Sequence, residues 1–191
     1  MKRVGILASH NGSGFETIYK ACEEKSLDAQ VVLVISNNSE ANVLEKAFQK
    51  NIPNYVINAK IYPNESLDER ITLMMKEFKV DYIFLSGYMK KLETNLIKTF
   101  ENRIINSHPA LLPKFGGKGM YGTNVHKAVI EAKEKISGCT IHFVNENYDE
   151  GEYILQKKLT LDENESVESL EKRIKELESK AIVEALQKVI N

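Results

Sequence analysis

The sequence predicts an α/β fold built on a doubly wound, mainly parallel sheet. Three observations predict it. Up to Asn106, apolar runs suited to strands covered on both faces alternate with stretches of helical period. Beyond that point come two strand-like segments around an acidic turn, then a long amphipathic stretch, which adds an antiparallel strand pair and a C-terminal helix. The length of 191 residues suits one domain spanning 1–191, and a chain of this size buries roughly 70% of its unfolded surface.

Lys2 to Ala8 is the first buried strand, and Ser9 to Gly14 is a glycine-rich turn. Residues 14–24 place Phe15, Ile18, Tyr19 and Cys22 on one helical face. Val31 to Ile35, five aliphatic residues in a row, is the clearest strand. A helix over about 39–50 and a short strand at Tyr55 to Ile57 follow. Residues 66–78 carry Leu67, Ile71, Met74, Met75 and Phe78 at helical spacing, the methionines as core filler. Asp81 to Gly87 is another buried strand, about 93–100 a short helix, and Arg103 to Asn106 the fifth strand. Residues 107–122 form a long loop with Pro109, Pro113, Gly116, Gly117, Gly119 and Gly122. A structureless stretch of that length in a small domain is usually functional. A helix over about 123–133 precedes strands at Gly138 to Val144 and Tyr153 to Lys157. Val167, Leu170, Ile174, Leu177 and Ala181 mark the apolar face of the last helix.

The formal net charge of −1 provides no global field for nucleic acid or an anionic membrane. Cys22 and Cys139 are far apart and in no metal-ligand spacing, as suits a reducing cytoplasm. The N-terminal apolar run is too short for a signal sequence, and no stretch is long and apolar enough for a membrane-spanning helix. The reading is therefore cytoplasmic, with no nucleic-acid or membrane partner and no metal, and with monomer and homodimer both open. His10, His126 and His142 show no ligand spacing.

The most informative stretch is Asn106-Ser107-His108-Pro109-Ala110-Leu111-Leu112-Pro113. Pro109 biases His108 toward an extended conformation, so Asn106 and His108 point the same way and Ser107 the other. An amide can hold a developing oxyanion and an imidazole can exchange a proton near neutral pH. No credible nucleophile is near, which favours direct transfer over a covalent intermediate. Asn11-Gly12-Ser13-Gly14, between the first strand and the first helix, has two readings: free amides that suit a phosphate, or a capping box of Ser13 with Glu16. Tyr148 to Gly151 is an acidic turn that is either solvated or brings Asp149 to His108 and raises its pKa. Gly87 to Leu92 follows a strand at its carboxyl end, where open α/β sheets place ligands.

With these residues in order, the chain resembles the phosphoribosylglycinamide formyltransferase family, within the superfamily of formyltetrahydrofolate-using enzymes. Asn106-Ser107-His108-Pro109 with Leu111-Leu112-Pro113, then Gly138 to Val144, Asp149 and Ile154-Leu155-Gln156 carry the resemblance. It implies a Rossmann-like formyltransferase fold and a single catalytic domain. The implied reaction passes the formyl group of 10-formyltetrahydrofolate, a co-substrate, to the amine of 5-phosphoribosylglycinamide in purine synthesis, by direct attack through a tetrahedral intermediate. The alternatives are a formyltransferase for another amine, such as an amino sugar nucleotide, and a non-catalytic folate- or phosphate-binding module. The chain starts at the first strand and stops after the last helix. The expectation is therefore a chain without the extra N-terminal domain of the deformylases or the extra C-terminal domain of the methionyl-tRNA enzymes.

By position, the resemblance implies a catalytic trio of Asn106, His108 and Asp149. It implies substrate binding by Asn11, Gly12, Ser13, Gly14 and Glu178. It implies folate binding by Asn64, Met89, Lys90, Lys91, Leu92, Asn106 and Val144, with Leu112–Pro113 cis; the glycines of the 115–122 loop suggest a mobile lid over the folate. The chain departs from the family at Gly14 (often asparagine), Asn64 and Lys90 (often arginine) and Ser179 (often histidine).

Overall fold

The N-terminal apolar run becomes the middle of the sheet. In the computed structural model, which describes residues 1–190, β1 (Lys2–Ala8) lies between β2 (Ala29–Ser36) and β4 (Tyr82–Leu85) and is parallel to both. Helix α1 (Ser13–Glu23) makes the crossover from β1 to β2. β2 then leads through α2 (Asn42–Gln49) to β3 (Asn54–Val56). α3 (Leu67–Glu77) precedes β4, and α4 (Thr94–Thr99) precedes β5 (Ile104–His108). After a loop come α5 (Thr123–Glu131), β6 (Ile136–Phe143), β7 (Tyr153–Thr160) and α6 (Val167–Ile190). Among the described residues the sheet order is β3-β2-β1-β4-β5-β6-β7, parallel through β5, with β6 and β7 antiparallel. The order steps outward from β1 in both directions, so a switch point falls between β1 and β4.

Because both faces of the sheet are covered, β1 needs no polar alternation. Val4, Ile6 and Ala8 pack with Phe15 and Ile18 of α1, Ala47 of α2 and Ala181, Ile182 and Ala185 of α6. Leu7 packs on the other face with Ile71 and Met75 of α3 and Leu96 of α4. Full burial of each large side chain is worth roughly 1.5–3 kcal/mol. Met75 is fully buried, as its spacing predicts, and it presses on β1 where Gly5 leaves room: a Cβ there would come within 2.6 Å of its Sδ. Helix α3 begins at Ser66, whose Oγ accepts from the Glu69 amide at 3.2 Å. Asp68 is buried and caps a different helix, accepting from the Glu93 and Leu96 amides at 3.2 and 3.0 Å.

One expectation is corrected. β5 does not end at Asn106. It continues to His108 because β6 pairs with it antiparallel, Asn106 opposite His142 and His108 opposite Thr140. The loop therefore begins at Pro109. Its first turn is tied down: Thr140 Oγ1 donates to the Ala110 carbonyl at 2.7 Å, and Gln156 Nε2 donates to the Leu112 carbonyl at 2.9 Å. The Leu112–Pro113 bond is cis. Of the two readings of the turn before α1, the capping box does not form: Gly12 is the N-cap and no side chain caps the helix.

Candidate active site

Strand alternation on β5 sets the site. Asn106 and His108 emerge on one side and Ser107 on the other. Ser107 Oγ donates to the carboxylate of Glu178 on α6. His108 is 3% exposed. Its Nε2 lies 2.7 Å from the Phe115 carbonyl. A carbonyl only accepts, so Nε2 carries a proton and Nδ1 is the nitrogen that titrates. Nδ1 is 3.6 Å from Asp149 Oδ2.

Asp149 stands in the turn after β6 with φ 58°, a left-handed conformation that aspartate tolerates better than most residues. The turn closes tightly at Gly151, where a Cβ would come within 1.7 Å of the Phe143 carbonyl oxygen. The Gly117 amide donates to Asp149 Oδ2 at 2.9 Å, so the glycine loop and the acidic turn meet over His108.

A fourth residue completes the cluster. His142, opposite Asn106 on β6, is buried. Its Nδ1 donates to the Phe143 carbonyl at 2.8 Å, leaving Nε2 to accept from Asn106 Nδ2 at 3.3 Å. The same Nε2 is 3.6 Å from Asp149 Oδ1. Asn106 is thereby oriented by one amide hydrogen and keeps the other. His142 was legible only as a histidine without metal spacing. The antiparallel register of β5 with β6 would have found it, and the sequence reading paired β6 with β7 alone.

The electrostatics differ from expectation in one respect. Burial lowers the His108 pKa below the ordinary 6.5, against the raising effects of Asp149 and the Phe115 carbonyl, with His142 lowering it further. Asp149 acts in the expected direction, but burial outweighs it. For Asp149, burial raises the carboxyl, and the neighbouring His142 and His108 imidazoles and the Gly117 amide together bring it below the usual value. Burial raises Glu178, against Ser107 and Lys175, which lower it.

The other predicted residues lie at the carboxyl ends of the neighbouring strands. The Phe15 amide donates to Ser86 Oγ at 3.1 Å and the Glu16 amide to the Gly12 carbonyl at 3.2 Å. The Ser13 and Gly14 amides find no protein acceptor among the described residues. With the capping box gone, this turn retains the donors an anion needs. Gly14 is glycine for a steric reason: a Cβ would come within 2.6 Å of Phe84 Cε1 and 3.0 Å of Ser86 Oγ. The segment after β4 is tied to the segment after β1, because the Met89 amide donates to Ser9 Oγ at 2.8 Å. Ser9 and Ser86, unremarked in the sequence, therefore help to shape both loops.

Met89, Lys90 and Lys91 are exposed and Leu92 is buried. Val144 donates its amide to the Ile104 carbonyl at 2.8 Å. A cleft of about 470 Å³ lies beside this segment, lined by Lys91, Leu92, Ser66, Asp68 and Glu146 among others. Asn64 is exposed on the connection into α3, apart from the trio's hydrogen bonds. Ser179 joins α6 to α1, accepting from Thr17 Oγ1 at 3.3 Å. No group of three or more His, Cys, Asp or Glu residues among the described residues is placed to hold a metal.

Residues 2–186 match the formyl transferase family. Phosphoribosylglycinamide formyltransferase of Bacillus subtilis is 35% identical over 94% of this chain and 90% of its own length. The chloroplastic phosphoribosylglycinamide formyltransferase of Arabidopsis thaliana is 39% identical over 97% of this chain, which spans 64% of that protein's length. The cowpea relative, Vigna unguiculata, is spanned over 60% of its length. The crystal structure of phosphoribosylglycinamide formyltransferase from Bacillus halodurans superposes with a TM-score of 0.91 at 32% identity, covering 100% of this chain and 96% of the other. A formyltetrahydrofolate deformylase from Pseudomonas syringae shares the fold, with a TM-score of 0.87 at 22% identity.

Proposed function

The chain belongs to the formyl transferase family, and on that premise we propose that it moves the formyl group of 10-formyltetrahydrofolate to the amine of 5-phosphoribosylglycinamide, a step of purine synthesis, with residues 1–191 forming its catalytic domain. The observation that carries the reading is the convergence of Asn106, His108 and Asp149 on one side of β5, within one sheet edge of open amides at Ser13 and Gly14. A phosphorylated amine and a formyl donor need those two features together.

The donor set fits a folate co-substrate. Leu92 offers buried apolar surface, and the exposed backbone of Met89 to Lys91 and of the turn from Val144 to Asp149 offers donors and acceptors for a pterin. The folate supplies an activated formyl carbon. The protein's own contribution is positioning and proton handling. The free hydrogen on Asn106 Nδ2 is available to the oxygen that gains charge when the amine attacks; one preorganised donor of this kind is worth roughly 3–4 kcal/mol. His108 is held in one tautomer by Phe115, so Nδ1 is its only exchangeable position. In the resting protein burial keeps the imidazole neutral. A developing oxyanion next to Nδ1 adds a second negative neighbour to Asp149, and the pair favours the charged form as the reaction needs it. Asp149 then balances that charge and helps pass the proton from the amine to the departing nitrogen. Glu178 and the Asn11–Gly14 turn hold the ribose and phosphate of the acceptor.

The direct test is product identity. Incubation with both substrates should give the ribonucleotide heavier by one formyl group in the mass spectrum. Formylation of an amino sugar nucleotide in its place, or of no amine, overturns the reading.

A further inference from the structure

Helix α2 braces the turn before α1. The Val43 amide donates to the His10 carbonyl at 3.1 Å, and Asn42 Nδ2 donates to Asn11 Oδ1 at 2.8 Å. Lys46 Nζ donates to the Asn11 carbonyl at 3.0 Å. Gly12, with φ 64°, lies directly on Val43: a Cβ there would come within 2.4 Å of Val43 Cγ2.

Lys46 does a second thing. Its Nζ also pairs with Glu16 Oε2 at 2.6 Å. Glu16 stands in the first turn of α1, immediately after the open amides of Ser13 and Gly14. A carboxylate at a helix start is favourable for the helix, but beside a bound phosphate dianion it is a like charge. Between Asn11 and Glu16 the only formal charge is that of Glu16. Lys46 cancels it from α2 while holding the Asn11 carbonyl.

We infer that Lys46 is a substrate-positioning and specificity residue: through Glu16 and Asn11 it keeps the turn electrically receptive to a phosphate dianion, and so discriminates the phosphorylated amine from its dephosphorylated counterpart. The assignment rests on the proposed reading of this turn as the phosphate site. Under water-like screening, removing one positive charge roughly 8 Å from a dianion weakens its binding by roughly three- to tenfold.

The experiment compares KM and kcat for phosphoribosylglycinamide, and kcat/KM for the 5′-hydroxyl ribonucleoside, in the wild-type chain, Lys46→Met and Lys46→Met/Glu16→Gln at low ionic strength. Lys46→Met is expected to raise KM for the ribonucleotide by roughly three- to tenfold, with kcat retained and the ribonucleoside unaffected. Adding Glu16→Gln is expected to recover most of that loss. Thermal melts of the variants separate a folding defect from a binding one. An unchanged KM in Lys46→Met, an equal loss for the ribonucleoside, or no recovery in the double variant overturns the assignment. If the wild-type chain itself neither binds nor formylates the ribonucleotide, the underlying function fails and the assignment with it.

Discussion

Asp149 Oδ2 lies 3.6 Å from His108 Nδ1, close enough to bias the imidazole toward its charged form and too far for a direct hydrogen bond. Burial nonetheless wins, and the His108 pKa falls below the ordinary value. The carboxylate limits that fall. It does not reverse it.

Asp149→Asn removes the opposing charge and keeps the shape. The pKa of His108 is expected to drop further, so the acidic limb of kcat against pH moves to lower pH. The rate should fall by about a hundredfold or more, as for loss of a positioned proton-transfer group. A full pH–rate profile of the variant checks this. An acidic limb left in place means that Asp149 does not tune His108.

His108→Ala leaves the Ser13 and Gly14 amides and the Met89–Leu92 backbone intact. The expected loss is in kcat, by roughly 10²- to 10⁴-fold, with KM for either substrate little changed. Steady-state kinetics decide it. A variant that saturates normally and turns over at a comparable rate removes His108 from the chemistry.

Acid should destabilise the fold through two buried imidazoles. His108 and His126 both have folded-state pKa values below 6.5, burial being the leading cause for each; at His126 it acts against Glu171 and with Lys175 and His108. The unfolded chain therefore binds more protons as the pH falls. Stability from the neutral rings is complete above 6.5 and is lost as the pH drops through the folded-state values. Urea midpoints should decline from about pH 7 to about pH 5, and decline less in His126→Gln. Identical slopes for the two proteins would remove His126 from the account.

Gly14→Asn restores the residue common in the family and should still be harmful here. Its Cβ meets Phe84, a fully packed ring between the sheet and α1. Overpacking of this kind costs about 1–3 kcal/mol. Pairing it with Phe84→Val should recover part of that loss in a urea titration. No recovery would mean that the strain lies in the backbone of the turn.

Much of this was legible in the residues because local signals and tertiary needs agree. The aliphatic runs at Val4–Leu7, Val31–Ile35 and Ile83–Leu85 suit only strands covered on both faces, and they became the sheet centre. Alternation alone put Asn106 and His108 on one side and turned Ser107 away. What was not legible depends on partners distant in sequence. The extension of β5 to His108, and the entry of His142 into the cluster, follow from antiparallel pairing with β6, which no local pattern around Asn106 encodes. The start of α1 stayed open between two readings because Ser13 and Glu16 have capping-box spacing, whereas the left-handed Gly12 takes the cap position and Lys46 of α2 engages Glu16. By charge pattern alone Glu178 is one of many on α6; the resemblance singles it out, and its bond from Ser107 needs the fold. The direction of the His108 shift needed its burial, which sequence spacing does not give.

The most direct measurement is the steady-state release of tetrahydrofolate from 10-formyltetrahydrofolate by the wild-type chain, with and without phosphoribosylglycinamide. Release that requires the ribonucleotide, and matches the formylated product one for one, is the predicted result. Release at the same rate without any amine would make the chain a hydrolase and contradict the account.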